Sequence, residues 1–147
     1  MAGGFNLERF VEAQAPVYPQ VRAELRAGKK TSHWIWFIFP QLSELGRSAT
    51  AHYYGIASLE EAVAYWEHDL LGPRLRECAE LVLTHAGKAI EEVLGPPDDL
   101  KFRSSMTLFE LAAPEEPVFG RALDVYFRGE RDGLTLRLIE EGTPGRD

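Results

Sequence analysis

The stretch Ser32-His33-Trp34-Ile35-Trp36-Phe37-Ile38-Phe39-Pro40-Gln41 constrains this chain more than any other. It places two of the three tryptophans, two phenylalanines and a histidine in one short run. Fully burying a large apolar side chain is worth about 1.5–3 kcal/mol, so a run this dense must leave water. It is nevertheless bracketed by Lys29, Lys30, Ser32, His33 and Gln41. Large aromatics beside a few polar groups are either plain core or the lining of a pocket. The length and aromatic content of 33–39 suit a buried strand, but a strand without a partner makes no sheet. The segment therefore reads as a short helix or an irregular buried segment, stopped before Pro40.

At 147 residues the chain reads as one domain, 1–147, long enough to bury a core without disulfides or metals. The net charge of −7 argues against sequence-independent binding to nucleic acid or to anionic membranes. Cys78 is the single cysteine, so no intramolecular disulfide and no cysteine-based zinc site can form within one chain. Its apolar neighbours Leu75, Leu81 and Val82 make it a small buried hydrophobe. The start, Met1-Ala2-Gly3-Gly4, lacks the basic and apolar regions of a secretory signal. No run approaches the roughly 18 apolar residues of a membrane span. A cytoplasmic location, no membrane association and no cofactor are the expectations. Residues 1–4 and 143–147 read as frayed ends.

Helix punctuation recurs along the chain. Asn6 can cap a helix bearing Leu7, Phe10 and Val11. Pro16 and Pro19 suit the first turn of a second, ended by Gly28. Ser58-Leu59-Glu60-Glu61 forms a capping box for a helix to about His68. Pro73 sits near the start of a longer helix ended by Gly87, and a short one spans about Ala89–Leu94. Asp98 or Asp99 caps a helix burying Phe102, Met106 and Phe109. Pro117 opens another, stopped by Gly129, and Asp132 caps the last. The expected fold is all-α: a single compact domain of about seven to nine short, irregularly packed helices.

Several of these segments also carry a resemblance. Asn6-Leu7-Glu8-Arg9-Phe10, the whole Ser32–Gln41 run, Leu71-Gly72-Pro73-Arg74-Leu75, Pro97-Asp98-Asp99-Leu100-Lys101 and Ser104-Ser105-Met106-Thr107-Leu108-Phe109 are the motifs concerned. Together they resemble the bacterial domain-of-unknown-function family labelled eighteen-ten, whose members often carry the name "calpastatin". The resemblance covers nearly the whole chain. It implies a compact, mostly helical, monomeric domain, and it implies no reaction. The calpastatin name does not suit a chain with core residues and caps from end to end, because such an inhibitor is disordered and repetitive.

Three groups of residues could carry chemistry. His33, between Ser32 and an aromatic wall, could bind a ligand or move a proton near neutral pH, or could simply pack on Trp36 or Phe37. Lys101 and Ser105 are four apart with Ser104 beside them, a polar strip that could hold a phosphate or carboxylate. The same serines could instead be small residues for close helix packing, with Lys101 paired to Asp98 or Glu110. Arg22, Arg26, Lys29 and Lys30 form a basic stretch that could attract an anion towards His33, or merely complement a helix C-terminus. No histidine pair has helical metal-site spacing, so no metal site is expected.

Two functions from different classes follow. The first is binding of an anionic, nucleotide-like small molecule, extending to a metal-independent hydrolase. Here Trp34 or Trp36 stacks, Lys101 supplies charge, Gln41, Ser104 and Ser105 supply hydrogen bonds, and His33 is the catalytic candidate. The alternative is a non-enzymatic protein-interaction module in which the aromatic run is plain core. Convergence of His33, Lys101 and Ser105 on one concave pocket would favour the first.

Overall fold

Residues 4–142 are described by a computed structural model. The expected frayed ends fall, Gly4 excepted, outside the described residues. Among the described residues there are ten α-helices: α1 (Glu8–Gln14), α2 (Tyr18–Ala27), α3 (Ile35–Ile38), α4 (Ala49–Tyr53), α5 (Leu59–Glu67), α6 (Leu71–Leu83), α7 (Ile90–Leu94), α8 (Asp98–Ala112), α9 (Pro117–Phe127) and α10 (Gly133–Gly142). A single 3-10 turn, Ser43–Leu45, lies between α3 and α4. The all-α expectation holds. The helix in excess of the expected range is α4, one short turn capped by Ser48, whose Oγ accepts the Ala51 N–H at 3.1 Å. None of the described helices is long and apolar enough to cross a membrane.

Local capping explains many of the boundaries. Ser58 Oγ accepts the Glu61 N–H at 3.2 Å, as its spacing predicts. The Glu61 carboxylate reaches back one residue further than expected, to the Ala57 N–H at 2.7 Å. Asp132 caps α10 through the Thr135 N–H at 3.1 Å. Pro117 stands at the start of α9. Gly28 ends α2 at φ 76°, and a Cβ there would come within 2.8 Å of the His85 ring.

Other expected caps are displaced. Asn6 makes no cap, and α1 starts after Leu7. Pro16 lies in the turn before α2, leaving Pro19 in its first turn. Asp98 and Asp99 stand inside the first turn of α8, after Pro97. Asp98 is drawn there to Lys30, 2.8 Å away, and its charge still favours the helix N-terminus. Helix α6 ends at Leu83, ahead of Gly87, because His85 turns onto α2 and donates through Nε2 to the Leu25 carbonyl at 2.7 Å.

The core is organised around α8, which packs against α5, α9, α7, α10 and α3. Two chains of aromatic rings cross it. Phe102 meets Phe39 edge-on at 4.8 Å, and Phe109 meets Tyr65 at 5.3 Å and Phe119 at 5.9 Å. Cys78 is fully buried, and burial pushes its thiol up to about 12, so it behaves as the inert hydrophobe expected. Trp34, Ile35, Ile38 and Phe39 are all buried, while Trp36 and Phe37 are half-buried. The aromatic run is therefore largely core, as one of its two readings held, with Trp36 left at the edge.

Candidate functional site

Helix α8 has two faces of opposite character. Phe102, Met106 and Phe109 point into the core, while Leu100 and Lys101 face outward with Ser104 one turn on. Leu100 is 56% exposed, unusual for a leucine beside so dense a core. Across from this outer face stands the segment 41–48. It is held by backbone pairing: the Ile56 N–H donates to the Gln41 carbonyl and the Ser43 N–H to the Ile56 carbonyl, both at 2.9 Å. Leu42 and Ile56 thus form an isolated parallel bridge. The approach requires Gly55, whose added Cβ would fall 2.3 Å from Ser43 Cα.

The start of α10 supplies the third wall. The Asp132 N–H donates to Thr107 Oγ1 at 3.0 Å, and Thr107 Oγ1 donates to the Arg103 carbonyl. Arg103 in turn donates to the carbonyls of Glu130 and Arg131 at 2.9 and 2.8 Å. These bonds tie the 130–132 loop to α8 and set Leu134 opposite Leu100.

Between the three walls lies an open cleft of about 530 Å³. Its apolar lining is Leu45, Ala51, Pro97, Leu100 and Leu134; its polar lining includes Gln41, Arg47, Ser48, Lys101, Ser104 and Asp132. A narrow crevice of about 10 Å³ adjoins it, bounded by Trp36, Phe39, Tyr54 and Gly55. Gln41, Ala51 and Lys101 border both spaces. Lys101 Nζ sits 5.6 Å from the centre of the Trp36 ring and 3.9 Å from Asp98.

Of the residues expected to form a site, the fold brings together Trp36, Gln41, Lys101 and Ser104. The other three lie elsewhere. Trp34 is 1% exposed and its indole N–H donates to Glu24 at 2.9 Å, so no stacking face is open. Ser105 is fully buried, and its Oγ has no hydrogen-bond partner. His33 is exposed on the loop before α3 and lines neither the cleft nor the crevice. The basic stretch is also dispersed. Arg22 pairs with Glu77 at 3.2 Å, Lys30 is buried against Asp98 and beneath Trp34, and Arg26 and Lys29 face solvent.

Arg47, Leu100 and Leu134 were not picked out from the sequence. Leu100 carries a readable signal: it falls off the Phe102–Met106–Phe109 stripe, where a leucine has no core to join. Arg47 and Leu134 carry none, because their importance comes from what they face. The cleft hydroxyls are engaged locally: Ser104 Oγ donates to the Leu100 carbonyl at 3.2 Å, and Ser48 Oγ caps α4. Among the described residues no group of three or more His, Cys, Asp or Glu side chains is placed to hold a metal ion.

An all-helical domain carrying a solvent-open, mixed-polarity cleft is thus defined. The chain belongs to the family described as a protein of unknown function (DUF1810), whose pattern matches residues 4–139. It is similar to the conserved hypothetical protein Rv1873 from Mycobacterium tuberculosis, known from a crystal structure at 1.38 Å. The two share 57% identity and superpose with a TM-score of 0.91, over 92% of this chain and 97% of the other. No curated protein matches the chain.

Proposed function

We propose that this protein binds a small, anionic, partly apolar molecule in the cleft between α8, the 41–48 segment and α10. The observation that carries this reading is the pairing of character there. Exposed Leu100 and Leu134 stand beside the cations Arg47 and Lys101 in a chain whose net charge is −7. Ligand sites combine an apolar lining with a few placed polar groups in about 300–1,000 Å³, and this cleft falls in that range. Lys101 and Arg47 supply charge, Gln41 supplies hydrogen bonding, and Trp36 backs Lys101, while the Ser104 proton is already given to the Leu100 carbonyl. The reading is one of binding. Hydrolysis gains no support from the cleft lining, which includes no histidine among the described residues.

A thermal-shift series of anionic metabolites tests it, with Lys101→Ala alongside. That substitution loses a loose ion pair and a cation–π contact, together worth about 1 kcal/mol, so the variant melts close to the wild type. The expected result is an anion that raises the melting temperature of the wild type and not of the variant. If no anion at millimolar concentration shifts the wild type, the reading fails. The protein-interaction module then takes its place, with Leu100 and Leu134 as the surface a partner would cover.

A further inference from the structure

We infer, building on the cleft reading, that the ligand is an aliphatic monocarboxylate rather than a nucleotide. The walls argue first. Leu45, Leu100 and Leu134 are aliphatic, and no aromatic ring borders the larger cleft among the described residues. A base has no slot beside Trp36 either. The crevice there is about 10 Å³, room for one water, and Lys101 already occupies the ring face. Nucleobases are held by stacking or edge hydrogen bonds, and alkyl chains by surfaces such as Leu100 and Leu134.

Charge argues second. The cleft carries two cations, Arg47 and Lys101, against one carboxylate, Asp132. Asp98 draws on Lys101 as well. The balance suits a single negative charge, whereas one phosphomonoester alone carries about −1.5 to −2. A carboxylate also fits the guanidinium of Arg47, which can offer two parallel N–H donors. The acid group lies toward Arg47 and Lys101, and the chain covers the apolar surface of Leu100 and Leu134.

Titration calorimetry of the whole protein with butanoate, hexanoate, octanoate and decanoate, each below its micelle concentration, tests this. Octan-1-ol and AMP serve as comparators, and Arg47→Gln and Leu134→Ser as variants at exposed positions. The expected result is one-to-one binding whose Kd tightens about fourfold per added methylene until the cleft is filled. Octan-1-ol binds about tenfold more weakly than octanoate, Arg47→Gln weakens every acid, and Leu134→Ser weakens octanoate far more than butanoate. Binding of AMP but not of the acids, lost in Arg47→Gln, overturns the monocarboxylate and leaves the cleft reading standing. Acid binding without chain-length dependence, or unchanged in both variants, also overturns it. If neither class binds and the amide signals of Leu100 and Leu134 do not move in NMR titrations, both readings fall together.

Discussion

The indole N–H of Trp34 donates to the carboxylate of Glu24 at 2.9 Å, both residues being buried. Glu24 also accepts from Gln20 at 2.8 Å, from the backbone N–H groups of Thr31 and Ser32 at 2.8 and 3.1 Å, and from the Ser32 hydroxyl. One carboxylate on α2 therefore gathers the loop that leads into the aromatic segment and fixes where Trp36 emerges. Removing it leaves the buried Trp34 indole N–H without a partner, at about 1–3 kcal/mol, and also releases the part-buried donors of Thr31 and Ser32. Glu24→Ala is expected to lower stability by about 3 kcal/mol, read as a reduced urea midpoint with the m-value unchanged. A loss below about 1 kcal/mol would show that water replaces the carboxylate.

The same residue makes stability pH-dependent. Burial alone would raise the Glu24 pKa, but the donors from Ser32, Gln20, Thr31 and Trp34 outweigh it and hold the carboxyl well below its ordinary 4.5. With the folded pKa depressed, the contribution is present above the unfolded value and is lost progressively as pH falls below it. Asp99, whose pKa burial raises, acts with the opposite sign. The difference in stability between wild type and Glu24→Ala isolates Glu24. It is expected to be flat from pH 7 to about 5 and to shrink steadily at lower pH. A difference that grows on acidification would contradict this assignment.

Arg9 and Glu61 form a second buried hub, 3.0 Å apart, with side chains 9% and 3% exposed. Arg9 also donates to the carbonyls of Tyr53 and Gly55 at 2.7 and 2.8 Å, so it anchors the turn that ends α4 and borders the crevice. Arg9→Leu leaves a buried carboxylate without its cation and is expected to cost about 3–5 kcal/mol. Adding Glu61→Gln should recover part of that loss. A double-mutant cycle by denaturant unfolding that returned purely additive losses would count against the coupling.

Ser105 illustrates a polar group that the fold tolerates. Its Oγ is buried and unpartnered, so it carries a desolvation cost with no compensating bond. Ser105→Ala is expected to leave the melting temperature unchanged or to raise stability by up to about 1 kcal/mol. A clear fall in scanning calorimetry would mean that the hydroxyl has a partner.

Gly55→Ala probes the approach of the two segments that frame the cleft. The new Cβ would meet Ser43 Cα at 2.3 Å and must push the segments apart, breaking the pairing of Ile56 with Gln41 and Ser43. An overpacking cost of about 1–3 kcal/mol is expected, together with weaker binding of the proposed anion, because Gln41 moves with its backbone. Unchanged stability would show that the segments separate freely.

The helices were legible because capping and stripe formation are short-range. Ser58 meets Glu61 three residues on, Asp132 meets Thr135, and Phe102, Met106 and Phe109 fall on one face within two turns of helix. The displaced boundaries are those where a distant residue competes: Lys30 for Asp98, and α2 for His85. Of the cleft lining, the sequence reading named Lys101 and Ser104 on α8 and Gln41 beside the aromatic run, with Trp36 falling on the adjoining crevice. Nothing local distinguished Trp34 from Trp36, since Glu24 claims one indole and Lys101 covers the other.

The sequence by itself determined that this chain is helical, where most helices begin, and which side chains leave water, because those outcomes depend on groups within a few residues of each other. Only the tertiary structure decided that Gln41, Arg47, Leu100, Lys101 and Leu134 share a cleft and that His33 and Ser105 do not. A cleft exists between surfaces contributed by segments far apart in the sequence. It is set by long-range bonds such as Ile56 to Gln41 and Asp132 to Thr107, which no local pattern encodes.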